Sequence, residues 1–260
     1  MYISRLELVN FKSHKKSGVD FKNITLLTGL NCAGKSSIFQ SLRMIWENLH
    51  NEDLTLNEYG ELSTLKNTNA KETFFTLKLS AYNKEVFTVN ADVSIGGYII
   101  EGDDVLKKFD IHLVYLSANR LGPTEFQQIR NSNISLYDNV GINGQYTLDI
   151  LSKFGDELLH DDFSNDIKKQ NTIKNHVERW LEEISPNVKL ETELNKQMNV
   201  ASFSINGYTP YNVGFGISYT LSILVQLMYS LYLFDKRNIK SVILIENPEA
   251  HLHPKGQTKL

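Results

Sequence analysis

The hydrophobic pattern of this chain changes period several times, and each change predicts an element. Residues 2–9 alternate apolar with polar positions, the period of a half-buried strand. Residues 24–28, ITLLT, form a compact apolar run with β-branched members, which predicts a buried strand. Residues 37–49 place Ile38, Leu42, Ile45 and Leu49 on one face of a helix. The segment GLNCAGKS lies between the last two, so the order is strand, glycine loop, helix. Residues 50–71 are polar and rich in Asn, which predicts a loop. Residues 72–81 and 84–93 both alternate, and Tyr82-Asn83 between them predicts an antiparallel hairpin. Residues 110–116 read as a further strand and 124–149 as irregular. Residues 156–184 read as helical, with Val177, Leu181 and Ile184 on one stripe and Pro186 as the stop. A second hairpin is expected over 188–206. The loop 212–216 then opens an apolar helix over 217–234, and 241–245, SVILI, has the continuous apolar character of a parallel strand.

Composition narrows the class. At 41% hydrophobic and 22% charged over 260 residues, the chain suits a globular protein with a core of its own. The formal net charge of -3 gives DNA binding no support from bulk charge, although a local cluster exists at Lys12, His14, Lys15, Lys16 and Lys22. That cluster reads better as a solvated turn. Cys32 is the single cysteine, which excludes an internal disulfide and fits a reducing, cytoplasmic setting. The first residues lack the apolar core of a signal peptide, and the apolar run 221–234 is shorter than a membrane span. No membrane association is expected.

The chemistry concentrates in two places. Gly29-Leu30-Asn31-Cys32-Ala33-Gly34-Lys35-Ser36 matches G-x-x-x-x-G-K-[ST] at every defined position. The glycines let successive amides turn toward a phosphate, Lys35 brings a mobile positive charge, and Ser36 offers a hydroxyl to Mg²⁺. The helix that follows presents its positive end to the anion. Gly29, Asn31, Cys32, Ala33, Gly34, Lys35, Ser36 and Ser37 are therefore the expected ATP contacts. Cys32 reads either as a side chain that merely packs or as a thiol whose oxidation blocks phosphate binding.

The second place is the end of the strand 241–245. Glu246 stands where a phosphate-loop enzyme needs an acid for Mg²⁺. Asn247 follows, where many ATPases of this layout have a Glu that activates the attacking water. Glu249 is the nearest replacement. With it, His251 and His253 form a conceivable metal cluster, although structural or inter-subunit contacts suit them better.

These motifs carry a resemblance. Leu8-Val9-Asn10-Phe11-Lys12-Ser13, TGLNCAGKSS and ENPEAHLHP together resemble the ABC-type ATPase heads of the SMC/RecF and overcoming-lysogenization-defect group. YLSANRLGP (115–123), NVGFGISYTLSIL (212–224) and IENPEAHLHPKGQTKL (245–260) look closest to bacterial AAA-family ATPases with a C-terminal domain of unknown function. The resemblance covers nearly the whole chain. It implies an α/β P-loop NTPase fold: a mainly parallel core sheet, an antiparallel β lobe and a helical insertion. Residues 1–260 would be one ATPase domain, with 1–50 and 200–260 as the nucleotide-binding core and 51–199 as lobe and insertion.

By the same resemblance, Gly214, Phe215 and Gly216 form the signature loop that caps the γ-phosphate of a partner head. Gly214 replaces the usual serine, a loss for which Ser218 is a candidate substitute. Asn119, Gln127 and Gln128 are alternatives for the Q-loop residue, and Arg120 faces either the nucleotide or a partner. The family continues into a switch strand and histidine beyond Leu260, so a truncated product or a completing polypeptide is expected. The implied function is an ATPase that forms a homodimer around Mg-ATP, in DNA maintenance or anti-phage defence, with a nuclease or effector partner. A nucleotide switch that does not hydrolyse ATP is the alternative, and a transporter subunit fits the opening segment poorly.

Overall fold

The computed structural model describes residues 3–51, 54, 56, 59–81, 84–102, 111–130, 138–160 and 170–259. The chain divides into two compact units, Met1–Asp110 and Ile111–Leu260.

The first unit is built on a five-stranded antiparallel sheet of order β2-β1-β3-β4-β5. Its strands are β1 (Ile3–Phe11), β2 (His14–Asp20), β3 (Phe74–Ala81), β4 (Lys84–Asp92) and β5 (Gly97–Glu101). Register follows from the alternation. Leu6 lies opposite Leu79, which lies opposite Phe87; Leu8, Leu77 and Val89 form the next row. All six are buried, so one face of three strands is a continuous apolar surface. β2 stands at the edge, where exposed Lys15 and Lys16 discourage strand addition. Helix α1 (Lys35–Asn51) buries Ile38, Leu42 and Ile45 of the stripe its sequence predicts, and Met44 beside them; the side chain of Leu49 lies outside the described residues. The short helix α2 (Leu62–Leu65) arises in the segment expected to be loop, because Leu54, Leu56, Leu62 and Leu65 all find burial.

The expected hairpin over 72–93 is present as β3–β4, with its Tyr82-Asn83 turn outside the described residues. The expected strand over 24–28 is not. It enters no ladder among the described residues, and Ile24 and Leu26 are 90% and 77% exposed. A strand draws its hydrogen bonds from a neighbour, so apolar composition alone does not make one.

The second unit holds a parallel pair, β6 (Ile111–Leu116) and β10 (Lys240–Ile245), and an antiparallel sheet of order β7-β9-β8. That sheet comprises β7 (Gln127–Gln128), β8 (Leu190–Asn195) and β9 (Val200–Ile205), the last two forming the second expected hairpin. Its helices are α3 (Thr147–Phe154), α4 (Ile173–Ile184), α5 (Phe215–Arg237) and α6 (Pro254–Gln257). The core joins Leu148 and Leu151 of α3, Val177 and Leu181 of α4, Phe203 and Ile205 of β9, and Leu221, Leu224 and Val225 of α5.

Helix α4 begins later than its periodicity suggests. Leu158 instead bridges Thr172 in extended backbone, and the Thr172 hydroxyl caps the helix by accepting from the Asn175 amide. Helix α5 exceeds the expected 217–234. At 23 residues it is long and apolar enough to cross a membrane, but most of its apolar window is buried inside this unit. That burial explains its nearly all-round hydrophobicity.

Candidate nucleotide-binding site

The expected site residues fall on both units, and each group has a defined local geometry. In the first unit, residues 29–34 curl into the N-terminus of α1. Cys32 adopts φ 64° and Gly34 φ 93°. The amides of Asn31, Cys32 and Gly34 donate to no acceptor among the described residues, while Ala33 N donates to Leu30 O at 3.2 Å. Lys35 folds back over the curl and donates through Nζ to Gly29 O (2.6 Å) and Leu30 O (2.8 Å). Ser36 is exposed in the first helical turn, and Ser37 is buried with its amide donating to Gly34 O (3.0 Å).

These residues fit a polyphosphate. Unspent amides at a helix start favour an anion, and a half-buried lysine held only by carbonyls can transfer its bonds to phosphate oxygens. Ser36 also offers the kind of hydroxyl that phosphate-bound Mg²⁺ takes from protein in place of a full cage. Among the described residues there is no group of three or more metal-ligating His, Cys, Asp or Glu.

The β1–β2 turn supports the loop. His14 Nε2 is 3.0 Å from Gly34 O, and its Nδ1 is 2.9 Å from Ser17 Oγ. A Cβ on Gly34 would lie 2.5 Å from both His14 Nε2 and Ser13 Oγ, so the turn and the loop touch closely, and the φ of 93° at Gly34 favours glycine there. Lys12 donates to Gln40 Oε1 of α1 at 2.6 Å and lies 5.2 Å from the Tyr59 ring; burial lowers its pKa. Two members of the basic cluster, Lys12 and His14, are thus engaged inside the unit, while Lys15, Lys16 and Lys22 are exposed.

In the second unit, β10 delivers Glu246 beside the end of β6: Ile245 pairs with Leu116, and Glu246 N donates to Leu116 O at 2.9 Å. Asn247 then turns the chain with φ 44°, a conformation asparagine tolerates better than most residues. Glu249 is exposed.

Gly214 precedes α5 as its N-cap, without a side-chain cap bond, and Phe215 is exposed. Gly216 meets the Glu246 segment directly, since a Cβ there would lie 2.6 Å from His251 O. The His251 ring packs edge-on to Tyr219 at 4.5 Å between centroids and lies 5.8 Å from Phe215. Residues 214–219 and the segment after Glu246 are therefore one packed assembly. Gly216→Ala is expected to destabilise this unit by about 1–3 kcal/mol, through displacement of backbone. A melting curve and a turnover rate both equal to wild type would contradict that packing.

Several other expectations resolve locally. His251 packs against aromatic rings, and His253 caps α6 by accepting from the Lys255 amide at 3.3 Å, so neither contributes to a metal cluster among the described residues. Ser218 is buried and its Oγ has no partner among the described residues, so it does not present a hydroxyl at the loop surface. Gln127 accepts from the Leu148 amide at the start of α3 (3.0 Å). Arg120, left open by the sequence, is 2% exposed and donates to three backbone carbonyls. The sequence signal for it was its place just after a strand end, which says nothing of what it would reach.

The chain is similar to several known proteins. The family described as AAA ATPase domain matches residues 1–139. The DNA replication and repair protein RecF of Francisella tularensis subsp. novicida (strain U112) is 34% identical over 91 residues, which span 35% of this chain and 24% of that protein. The matched segment is thus about a quarter of the curated relative's length. Among solved structures, the recombination mediator protein RecF-ATPrS superposes with TM-score 0.52 at 18% identity, covering 97% of this chain and 86% of that one. The Smc head domain bound to the C-terminal domain of ScpA, from Pyrococcus furiosus, gives TM-score 0.54 at 13% identity, covering 99% and 85%. At these identities the likeness is one of fold: an α/β P-loop head of ABC type with an antiparallel sheet lobe.

Proposed function

This chain belongs to the AAA ATPase domain family, and from that premise we propose that it binds Mg-ATP and hydrolyses it as an ABC-type head that pairs with a second copy. The observation that carries the reading is the curl at residues 29–36, with free amides and Lys35 folded over it. Gly29, Asn31, Cys32, Ala33, Gly34 and Ser37 surround the phosphates, Lys35 offsets their charge, and Ser36 and Glu246 ligate Mg²⁺. Glu249 activates the water in place of Asn247. Gly214, Phe215 and Gly216 serve the nucleotide of the partner head, and the start of α5 supports this, since the Phe215 and Gly216 amides donate to no acceptor among the described residues. Residues 1–260 act as one ATPase domain. The setting is DNA maintenance or anti-phage defence, in the cytoplasm, with an effector such as a nuclease; the name of the RecF relative favours the first.

Sizing in solution tests the pairing. The expected result is a monomer without nucleotide and a dimer with Mg²⁺ and a slowly hydrolysed ATP analogue; a monomer in both conditions defeats it.

A second reading rests on Asn247, an exposed residue in left-handed backbone with no proton-accepting side chain. It makes the protein a nucleotide-dependent switch that binds ATP without turnover. A phosphate-release assay separates the two: release that is lost on Glu246→Gln supports hydrolysis, and wild-type release at the buffer rate supports the switch.

A further inference from the structure

We propose that Arg120 is a positioning residue that sets where Glu246 can meet Mg²⁺, by clamping the backbone just past the ends of two neighbouring strands. The inference rests on the assignment of Glu246 to Mg²⁺ above.

β6 and β10 finish side by side, and the chain leaves each in a turn. Arg120 Nη1 donates to Ser117 O (2.8 Å), just past β6, and to Glu246 O (2.6 Å), just past β10. Nη2 donates to Asn247 O at 2.6 Å. One planar guanidinium thus spans two consecutive carbonyls of the acidic segment and ties them to the neighbouring strand. Those carbonyls flank the Cα from which the next side chain departs, and they bracket the left-handed turn at Asn247. The Glu246 carboxylate hangs from the clamped backbone.

The clamp is buried and has a cover. Tyr219 of α5 lies with its ring centroid 5.3 Å from the guanidinium carbon, and the same ring packs on His251. No ion pair among the described residues takes Arg120, and its Nε has no partner there. Burial lowers its pKa, while Tyr219, Glu249 and Glu246 oppose that shift. A buried cation spent on carbonyls is costly where an apolar residue would fill the space. Its gain here is geometric, because a guanidinium fork fixes two acceptors at once and an ammonium does not. The hydrogen bonds link 117–120 to the turn after Glu246, and the Tyr219 ring adds the first turns of α5 to the same cluster.

The test compares Arg120→Lys, Tyr219→Leu, Glu246→Gln and wild type. The primary readout is the Mg²⁺ concentration at half-maximal binding of a fluorescent ATP analogue; turnover and thermal melting are measured alongside. Arg120→Lys keeps the charge and loses the fork. Its Mg²⁺ midpoint is expected to rise about 10-fold or more, as for other groups that orient a metal ligand, with analogue binding in EDTA unchanged. Tyr219→Leu should shift the midpoint the same way by a smaller factor, which keeps the test alive if Arg120→Lys fails to fold. A wild-type midpoint in a folded Arg120→Lys protein overturns the proposal. So does a wild-type midpoint in Tyr219→Leu when Arg120→Lys does not fold. Glu246→Gln separates the two levels: if it too keeps the wild-type midpoint, the Mg²⁺ role of Glu246 fails and the clamp with it. If Glu246→Gln alone moves, only the clamp fails.

Discussion

Lys35→Ala is expected to lower kcat/KM for ATP by roughly 10²–10³-fold, the loss that follows removal of one preorganised donor to developing transition-state charge. The fold should hardly notice. The two carbonyls that Lys35 Nζ reaches, on Gly29 and Leu30, belong to exposed residues, so water takes over as donor when the ammonium is gone. A bond replaced by water in this way contributes little, within about 1 kcal/mol. The variant should therefore melt with the wild-type curve while losing nucleotide affinity and phosphate release. The separation is informative because the loop's own shape depends on other contacts, above all the hydrogen bond between His14 and Gly34 O. Retention of wild-type turnover by Lys35→Ala would remove the phosphate-binding role of the loop altogether.

Asp149→Ala should produce the largest stability loss, about 3 kcal/mol, which is the lower part of the range for removing one partner of a buried ion pair. Asp149 is fully buried in α3 and accepts from Arg130 Nε (2.6 Å), Arg130 N (3.2 Å) and Lys153 Nζ (2.7 Å). Removal leaves two mostly buried cations facing each other. Arg130 retains Asp138 at 3.2 Å and the Tyr146 face at 4.3 Å, which keeps the loss from the top of the range. The measurement is denaturant unfolding followed by a probe in the second unit, since a chain of two compact units need not unfold in one step. A loss below about 1 kcal/mol, the scale of a surface pair, would mean that this cluster is solvated in practice.

The curl at 29–36 was legible in the sequence, because a glycine-punctuated turn of this kind is local. Its glycines, lysine and hydroxyl act within eight consecutive residues. The hairpins over 72–93 and 188–206 were legible for a related reason. Side-chain alternation fixes which face each strand buries, and a short connection leaves one partner in reach. Glu246 was found because acidic residues at the end of an apolar run are conspicuous.

Misreadings arose where local pattern and tertiary partner disagree. ITLLT has the composition of a strand, yet Ile24 and Leu26 are exposed and the segment enters no ladder among the described residues. The stretch after Asp156 has helical periodicity, yet Leu158 pairs with Thr172 as a bridge and the helix waits for the Thr172 cap. Helix α5 gained residues at both ends, where Asn238 in left-handed backbone closes it and Gly214 opens it.

By itself, then, the sequence determined the curl at 29–36, the pairing of adjacent strands and the place of Glu246 at the end of β10, since each depends on residues within a few positions or one turn of each other. Tertiary structure alone decided that Arg120 grips carbonyls of residues 246 and 247, more than a hundred positions away, that His14 holds Gly34, and that Gly216 has room for no side chain beneath His251. Such contacts form only after parallel strands align and helices dock. Their energies come from burial and geometry that no local pattern encodes.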